Sequence, residues 1–149
     1  RVSLLQASTK SHCFLIDVDS LSSACAFQAF LISLLAGDAR KLAFQFHRDL
    51  ELLQKLSDDT YQVQNLLDLQ TCCLEDGTSI KGLRDLVLEA LAVPLCKVEQ
   101  CSRWERRPLR ASQRHYAALD AWVLLPCSEY LCKKTGAASL AALQELGGM

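Results

Sequence analysis

Residues Cys96 to Leu125, CKVEQCSRWERRPLRASQRHYAALDAWVLL, decide how the rest of the chain is read. From Arg110 to Leu125 there is no Gly or Pro, and Ala117, Leu119, Ala121, Val123, Leu124 and Leu125 are apolar. That composition predicts a helix. A phenol and a carboxylate stand inside it, Tyr116 and Asp120. At a spacing of four they lie one above the other on a single helix face. A buried carboxylate without a partner is costly. A metal ion, a nucleophilic water or a nearby cation would each account for it. Arginines 103, 106, 107, 110 and 114 surround Trp104 and place dense positive charge beside the pair.

Tyr116-Ala-Ala-Leu-Asp120 resembles the third motif, Tyr-x-x-x-Asp, of the DEDDy family of 3′–5′ exonucleases, which includes RNase D, Werner and Nibbler-type enzymes. Tyr-x-x-x-Asp alone is a weak signal. It gains weight from the segment before it, in which Ser102, Trp104, Arg107, Pro108 and Leu109 match that family's Ser-x-Trp-x-x-Arg-Pro-Leu at the right spacing. The stretch from Lys41 to Leu50, KLAFQFHRDL, is similar to the family's second motif, where a strand opened by Lys delivers an Asp eight residues on. That Asp is Asp49. Gln45 departs from the Gly or Asn common in the family four residues before it.

With 149 residues, half of them hydrophobic, the chain is expected to be a globular domain with its own core. The formal net charge is −1, so no general basic character points to nucleic acid. A local arginine patch is nevertheless enough to hold a phosphate backbone. Eight cysteines occur without a Cys-x-x-Cys pair, which argues against a zinc site. They are read mostly as small buried apolar residues in a reduced, intracellular protein of nucleus or cytoplasm. No apolar run reaches transmembrane length, and no membrane partner is expected.

In order, strands are expected over Arg1–Gln6 and His12–Val18, joined by a turn at Ser8–Ser11 and paired antiparallel. A helix follows over Ala24–Leu35, ended by Gly37, then a strand over Lys41–Phe46 and a helix with Leu50, Leu52, Leu53 and Leu56 on its buried face. Val63–Leu69 reads as a short strand. Ser79 is expected to cap a helix to about Leu91, and Cys96–Arg107 is irregular. The Tyr116 helix is expected to run to Leu125 and break at Pro126, with a further helical turn near Ser128–Lys133. Gly136 breaks the chain, and Ala137–Leu146 reads as a last short helix. The division is therefore an exonuclease-like domain over 1–135 and a helical tail over 136–149.

The order of strands and helices predicts an α/β sheet covered by helices. The resemblance makes this an RNase H-like (DnaQ-like) mixed sheet flanked by helices. RVSLLQ and HCFLIDV look like the family's second and third strands. The first strand, with its Asp-x-Glu motif, is then expected before Arg1. Asp17-Val-Asp19 has a related spacing but reads as a strand end running into a turn.

The resemblance implies two divalent ions, Mg²⁺ or Mn²⁺, held by four carboxylates and acting on a single-stranded 3′ end of RNA or DNA. Asp120 would be a ligand of the first ion and Asp49 would serve the second. Tyr116 would orient the attacking water, and Arg106, Arg107, Trp104 and Lys97 would contact nucleic acid. Each residue also has a plainer account. Asp49 sits where an N-cap is expected. Asp120 suits a salt bridge, and Tyr116 and Trp104 suit core packing. The arginines suit pairing with Glu99 or Glu105. With two of four carboxylates in hand, impaired catalysis is expected of the chain by itself. The alternatives are a catalytically inactive exonuclease-like domain that binds nucleic acid or protein, and a redox-sensing domain that would need an exposed thiol of depressed pKa.

Overall fold

Residues Leu4–Ser8 (β1) and Cys13–Asp17 (β2) form an antiparallel hairpin in register from Leu4 opposite Asp17 to Ser8 opposite Cys13. The computed structural model describes residues 2–56, 60–75 and 82–137. The hairpin turn is tied by the Thr9 amide, which donates to the His12 carbonyl at 2.8 Å, and by Thr9 Oγ1, which accepts the His12 amide at 3.1 Å. The Ser and Thr content of this turn therefore supplies its own acceptors. At the far end of β2, Asp17 caps the short helix α1 (Val18–Leu21) and accepts from the Ser20 amide and hydroxyl. Asp17 is thus a strand end running into a turn.

Helix α2 (Cys25–Ala36) is apolar along its length and buries Phe27, Leu31 and Leu35. Gly37 follows its last turn. Strand β3 (Lys41–Ala43) pairs in parallel with β4 (Leu66–Asp68), Lys41 opposite Leu66. Lys41 Nζ donates to the carbonyls of Gly37, Ala39 and Gln64 at 2.6, 2.8 and 2.8 Å. Its three donors thus hold the entry of β3 to the entry of β4.

The β3 strand is shorter than the run Lys41–Phe46 expected from its alternation. The backbone leaves it at Gln45, which is left-handed with φ 60°. That conformation costs a non-glycine residue about 1–2 kcal/mol. Asp68, at the end of β4, offsets it. Its carboxylate accepts the amides of Gln45 at 3.0 Å, Phe46 at 2.8 Å and Gln70 at 3.0 Å. Helix α3 (Phe46–Gln54) therefore begins three residues before Asp49. The expected N-cap role of Asp49 does not hold, because the amides of that turn are taken by Asp68.

Helices α4 (Leu69–Glu75), α5 (Leu83–Leu91), α6 (Ala111–Trp122) and α7 (Leu124–Thr135) complete the described elements. The expected break at Pro126 lies earlier, at Val123, and Pro126 falls in the first turn of α7. A residue without an N–H fits there because first-turn amides have no intrahelical acceptor. Gly136, with φ 72°, ends α7 in the left-handed position that favours glycine. The expected cap at Ser79 and the body of the helix expected over Ala137–Leu146 lie outside the described residues.

Two cores result. Val18, Phe27, Leu31, Leu35, Leu53 and Tyr61 bury one, beneath α1, α2 and α3. Leu67, Leu69, Cys73, Leu86, Val123, Cys127 and Leu131 belong to the other, among β4, α4, α5 and α7. Helix α6 packs on β1 and β2. The chain is accordingly mixed α/β, with one antiparallel and one parallel ladder flanked by helices. No described strand carries Asp-x-Glu. None of the eight cysteines forms a disulfide; Cys72, Cys73 and Cys127 are buried and Cys132 is half-buried, while Cys13, Cys25, Cys96 and Cys101 are exposed, so three of the eight are the buried apolar residues expected.

Asp68→Ala removes the acceptor of three backbone amides. It is expected to cost about 1–3 kcal/mol and to lower Tm by about 3–10 °C in a thermal melt. An unchanged Tm would show that water serves those amides equally well.

Candidate active site

Helix α6 starts without a Ser, Thr, Asp or Asn cap. The Gln113 side chain takes over that work. Its Oε1 accepts the Arg110 amide at 3.0 Å, and its Nε2 donates to Ser102 Oγ at 3.0 Å and to the Arg103 carbonyl at 3.1 Å. Gln113 is fully buried, so these three bonds fasten the start of α6 to the loop at 101–107. Sequence reasoning missed it. The signal present was a Gln at the third helical position, the position it holds in a capping box. The residue at the cap, Arg110, hid the pattern.

Arg107 fixes the other end of the loop. Its Nε and Nη2 donate to Asp17 Oδ2 and Oδ1 at 2.7 and 2.5 Å, and Nη2 also donates to the Ser3 carbonyl at 3.0 Å. Its Nη1 donates to the carbonyls of Trp104 at 2.7 Å and Arg106 at 2.9 Å. All five N–H donors of the guanidinium are engaged. These bonds make Arg107 a clamp on the end of β2 and on Ser3 before β1. Asp17 is held well below the ordinary carboxylate range, chiefly by its hydrogen bonds from Arg107.

The loop so fixed lays Trp104 against Tyr116, ring centroids 6.0 Å apart and planes tilted by 43°. The Tyr116 hydroxyl is pushed up by burial, then by the Asp120 charge. The Asp120 carboxyl is also pushed up by burial, while the Tyr116 hydroxyl and the Lys97 charge pull it back. The structure thus brings Trp104, Tyr116, Asp120 and Lys97 together.

Asp49 belongs to a second group. It sits in the first turn of α3, exposed, and its carboxyl is pushed up by desolvation and by the charge of Asp68, with His47 opposing. Neither Asp49 nor Asp120 pairs with an arginine among the described residues. The arginine that does pair with a buried acid is Arg110, whose Nη2 lies 2.6 Å from Glu99 Oε2. Arg106 is exposed, and its side chain has no partner among the described residues.

Asp49 and Asp120 are hard oxygen donors, of the kind that Mg²⁺ and Mn²⁺ take. The number falls short of a full site. Among the described residues no three His, Cys, Asp or Glu side chains are grouped so as to hold an ion. Asp68 lies near Asp49, but its oxygens are engaged by backbone amides.

A family of 3′–5′ exonucleases matches residues 1–135. The chain is 32% identical over 157 aligned residues to the exonuclease mut-7 homolog of Homo sapiens, covering 90% of this chain and 18% of that protein. It spans less than a fifth of the length of the mut-7 relatives from human and Caenorhabditis elegans. Its structure is similar to that of the Aedes aegypti Nibbler EXO domain, with a TM-score of 0.83 at 27% identity, covering 97% of this chain and 77% of that one. It is also similar to Trypanosoma brucei RNase D in complex with RNA U12, with a TM-score of 0.78 at 26% identity, covering 99% of this chain and 54% of that one.

The raised Asp120 carboxyl has a consequence for stability. A carboxyl that binds its proton more tightly folded than unfolded stabilises the fold at low pH. That contribution is lost as pH rises from the ordinary value of 3.8 through the folded value. At neutral pH the charged form therefore weighs against folding. Asp120→Asn is expected to raise Tm at pH 7 by about 1–3 °C and to leave Tm near pH 3 unchanged. A lower Tm at pH 7 would show that Asp120 is held by a favourable partner instead.

Proposed function

Because the chain belongs to the 3′–5′ exonuclease family, which matches residues 1–135, we propose that it presents Tyr116, Asp120 and Asp49 to a single-stranded 3′ end of nucleic acid. The observation that carries this reading is the Tyr116–Asp120 pair. It is partly buried, unpaired with arginine, backed by Trp104 and placed beside Lys97. Such a carboxylate destabilises its own fold, which is expected where it serves chemistry. RNA is favoured over DNA by two relatives, the RNase D structure described with RNA U12 and the ribonuclease D of Escherichia coli, 38% identical over 85 residues.

Asp120 and Asp49 are the share of a divalent-ion site that these residues bring, with Mg²⁺ or Mn²⁺ the suitable ions. In such sites bound ions supply hydroxide near neutral pH and steady the leaving oxygen. The chain's own groups do the positioning. Tyr116, its pKa raised, stays a neutral hydroxyl at physiological pH and orients water through a hydrogen bond rather than acting as a base. Asp120 holds that hydroxyl from one helical turn further on, and Lys97 balances the Asp120 charge. Arg106 is placed to meet phosphate and Trp104 to wall the site, while Arg107 acts at one remove by fixing the loop. The reading requires that the Asp49 group face the Tyr116–Asp120 group across one cleft.

Oligouridine with a labelled 5′ end and Mn²⁺ provides the test. The 149-residue chain alone is expected to cleave slowly, since it offers two of the four carboxylates that the resemblance implies. Joined to a strand carrying Asp-x-Glu, it is expected to shorten the oligonucleotide from its 3′ end. There Asp120→Ala should reduce the rate by about 10³-fold or more. Tyr116→Phe should reduce it by about 10–100-fold and leave binding unchanged. Undiminished cleavage by the Asp120→Ala variant removes Asp120 from the chemistry. Binding without any cleavage in the joined protein marks a binding module instead.

A further inference from the structure

A cavity of about 300 Å³ opens beside the start of α6, lined by Cys101, Ser102, Arg103, Arg106, Arg110 and Gln113. Three of these six residues are arginines, and none is acidic. Arg110 is already matched by Glu99 at 2.6 Å. Arg103 and Arg106 are not. Both are exposed, and neither side chain has a hydrogen-bond or ion-pair partner among the described residues. Two arginines without a counter-charge that line one hollow make it a place where an anion is favoured. The start of the 12-residue helix α6 adds the positive end of its dipole to the same place.

The cavity floor is rigid. Gln113 is fully buried, and its amide is committed to Ser102 Oγ, to the Arg103 carbonyl and to the Arg110 amide. The backbone that carries Arg103 is thereby fixed relative to the helix. Two guanidiniums carried on a fixed backbone suit a group with several oxygens, which is what a phosphate presents.

We propose that this cavity is a phosphate-binding subsite for the backbone of a single-stranded nucleic acid whose 3′ end lies at Tyr116. The proposal rests on the nucleic-acid reading given above and adds to it a second point of attachment. Gln113 precedes Tyr116 by three residues on α6, so the cavity lies about 4–5 Å along the helix axis from the tyrosine. Trp104 stands between Arg103 and Arg106 in the chain and packs on Tyr116, so one loop serves both places. A strand held at both is fixed in direction as well as position.

Binding of 5′-fluorescein oligouridine to the chain, followed by anisotropy over a range of salt concentrations without divalent ions, decides the matter. Arg103→Ala/Arg106→Ala is expected to weaken binding about tenfold. It should also flatten the dependence of log affinity on log salt by about 1.4, the value for two lost phosphate contacts on a single strand. Arg103→Lys/Arg106→Lys, which keeps the charge, should retain most of the salt slope. Far-ultraviolet circular dichroism should be unchanged in both, since neither guanidinium holds the fold. Equal affinity and slope in wild type and the alanine variant would overturn the subsite while leaving the exonuclease reading intact. If the wild type binds no oligouridine, the nucleic-acid source is overturned. A titration with inorganic phosphate, read at the Gln113 side-chain amide by NMR, then shows whether the cavity takes free phosphate; no response there overturns the site outright.

Discussion

The five hydrogen bonds of the Arg107 guanidinium fix the loop on which the candidate site depends. The guanidinium reaches from that loop to the carboxylate that ends β2 and to the Ser3 carbonyl before β1. That clamp ties the loop at 101–107, which carries Trp104 against Tyr116, directly to the hairpin. The fork matters as much as the charge. A lysine offers three donors around one point and cannot engage two carboxylate oxygens and three carbonyls at once. Both members of the Arg107–Asp17 pair are about a third exposed, so its value lies in geometry more than in stability. Gln113 performs the matching task at the helix end of the loop, in full burial, where an unmade bond is costly.

The two groups of acids are treated in opposite ways by the fold. Asp17 and Asp68 receive donors and stabilise what they touch, one as a partner for arginine and one as an acceptor for three amides. Asp49 and Asp120 are desolvated without an arginine partner, and their carboxyls are pushed up accordingly. Asp68 even raises Asp49 further by its own charge. A chain selected for stability alone would give each of them a close cation, yet neither pairs with an arginine among the described residues, and the proposed role of the two acids rests on that.

Much of this was legible in the sequence. The antiparallel pairing of the first two strands followed from alternation and a short polar turn. Helix α2 and the Gly136 stop followed from composition. The RNase H-like α/β fold and family were carried by Tyr116, Asp120 and the Trp104–Leu109 segment, and the structural likeness agrees with them. The misreadings share a cause. The end of β3, the start of α3 and the cap of α6 are decided by side chains distant in sequence or hidden behind an unusual cap residue: Asp68 is 22 residues from the Phe46 amide it accepts. Local pattern carries no trace of such a bond. The Arg107 clamp was hidden for the same reason, since its partner Asp17 is 90 residues away.

Charge is where sequence and structure differ most instructively. The net charge of −1 hides an uneven distribution. Five arginines lie between positions 103 and 114, and only structure sorts them by role. Arg107 is consumed by Asp17, Arg110 by Glu99, and Arg114 donates to the Leu109 carbonyl at 3.0 Å. Arg103 and Arg106 remain, on one loop and on one cavity. The fold has thus converted a diffuse basic segment into three fixed cations and two available ones. Because the fixed cations position the loop that carries the available ones, the charge that holds the structure and the charge open to a phosphate depend on each other.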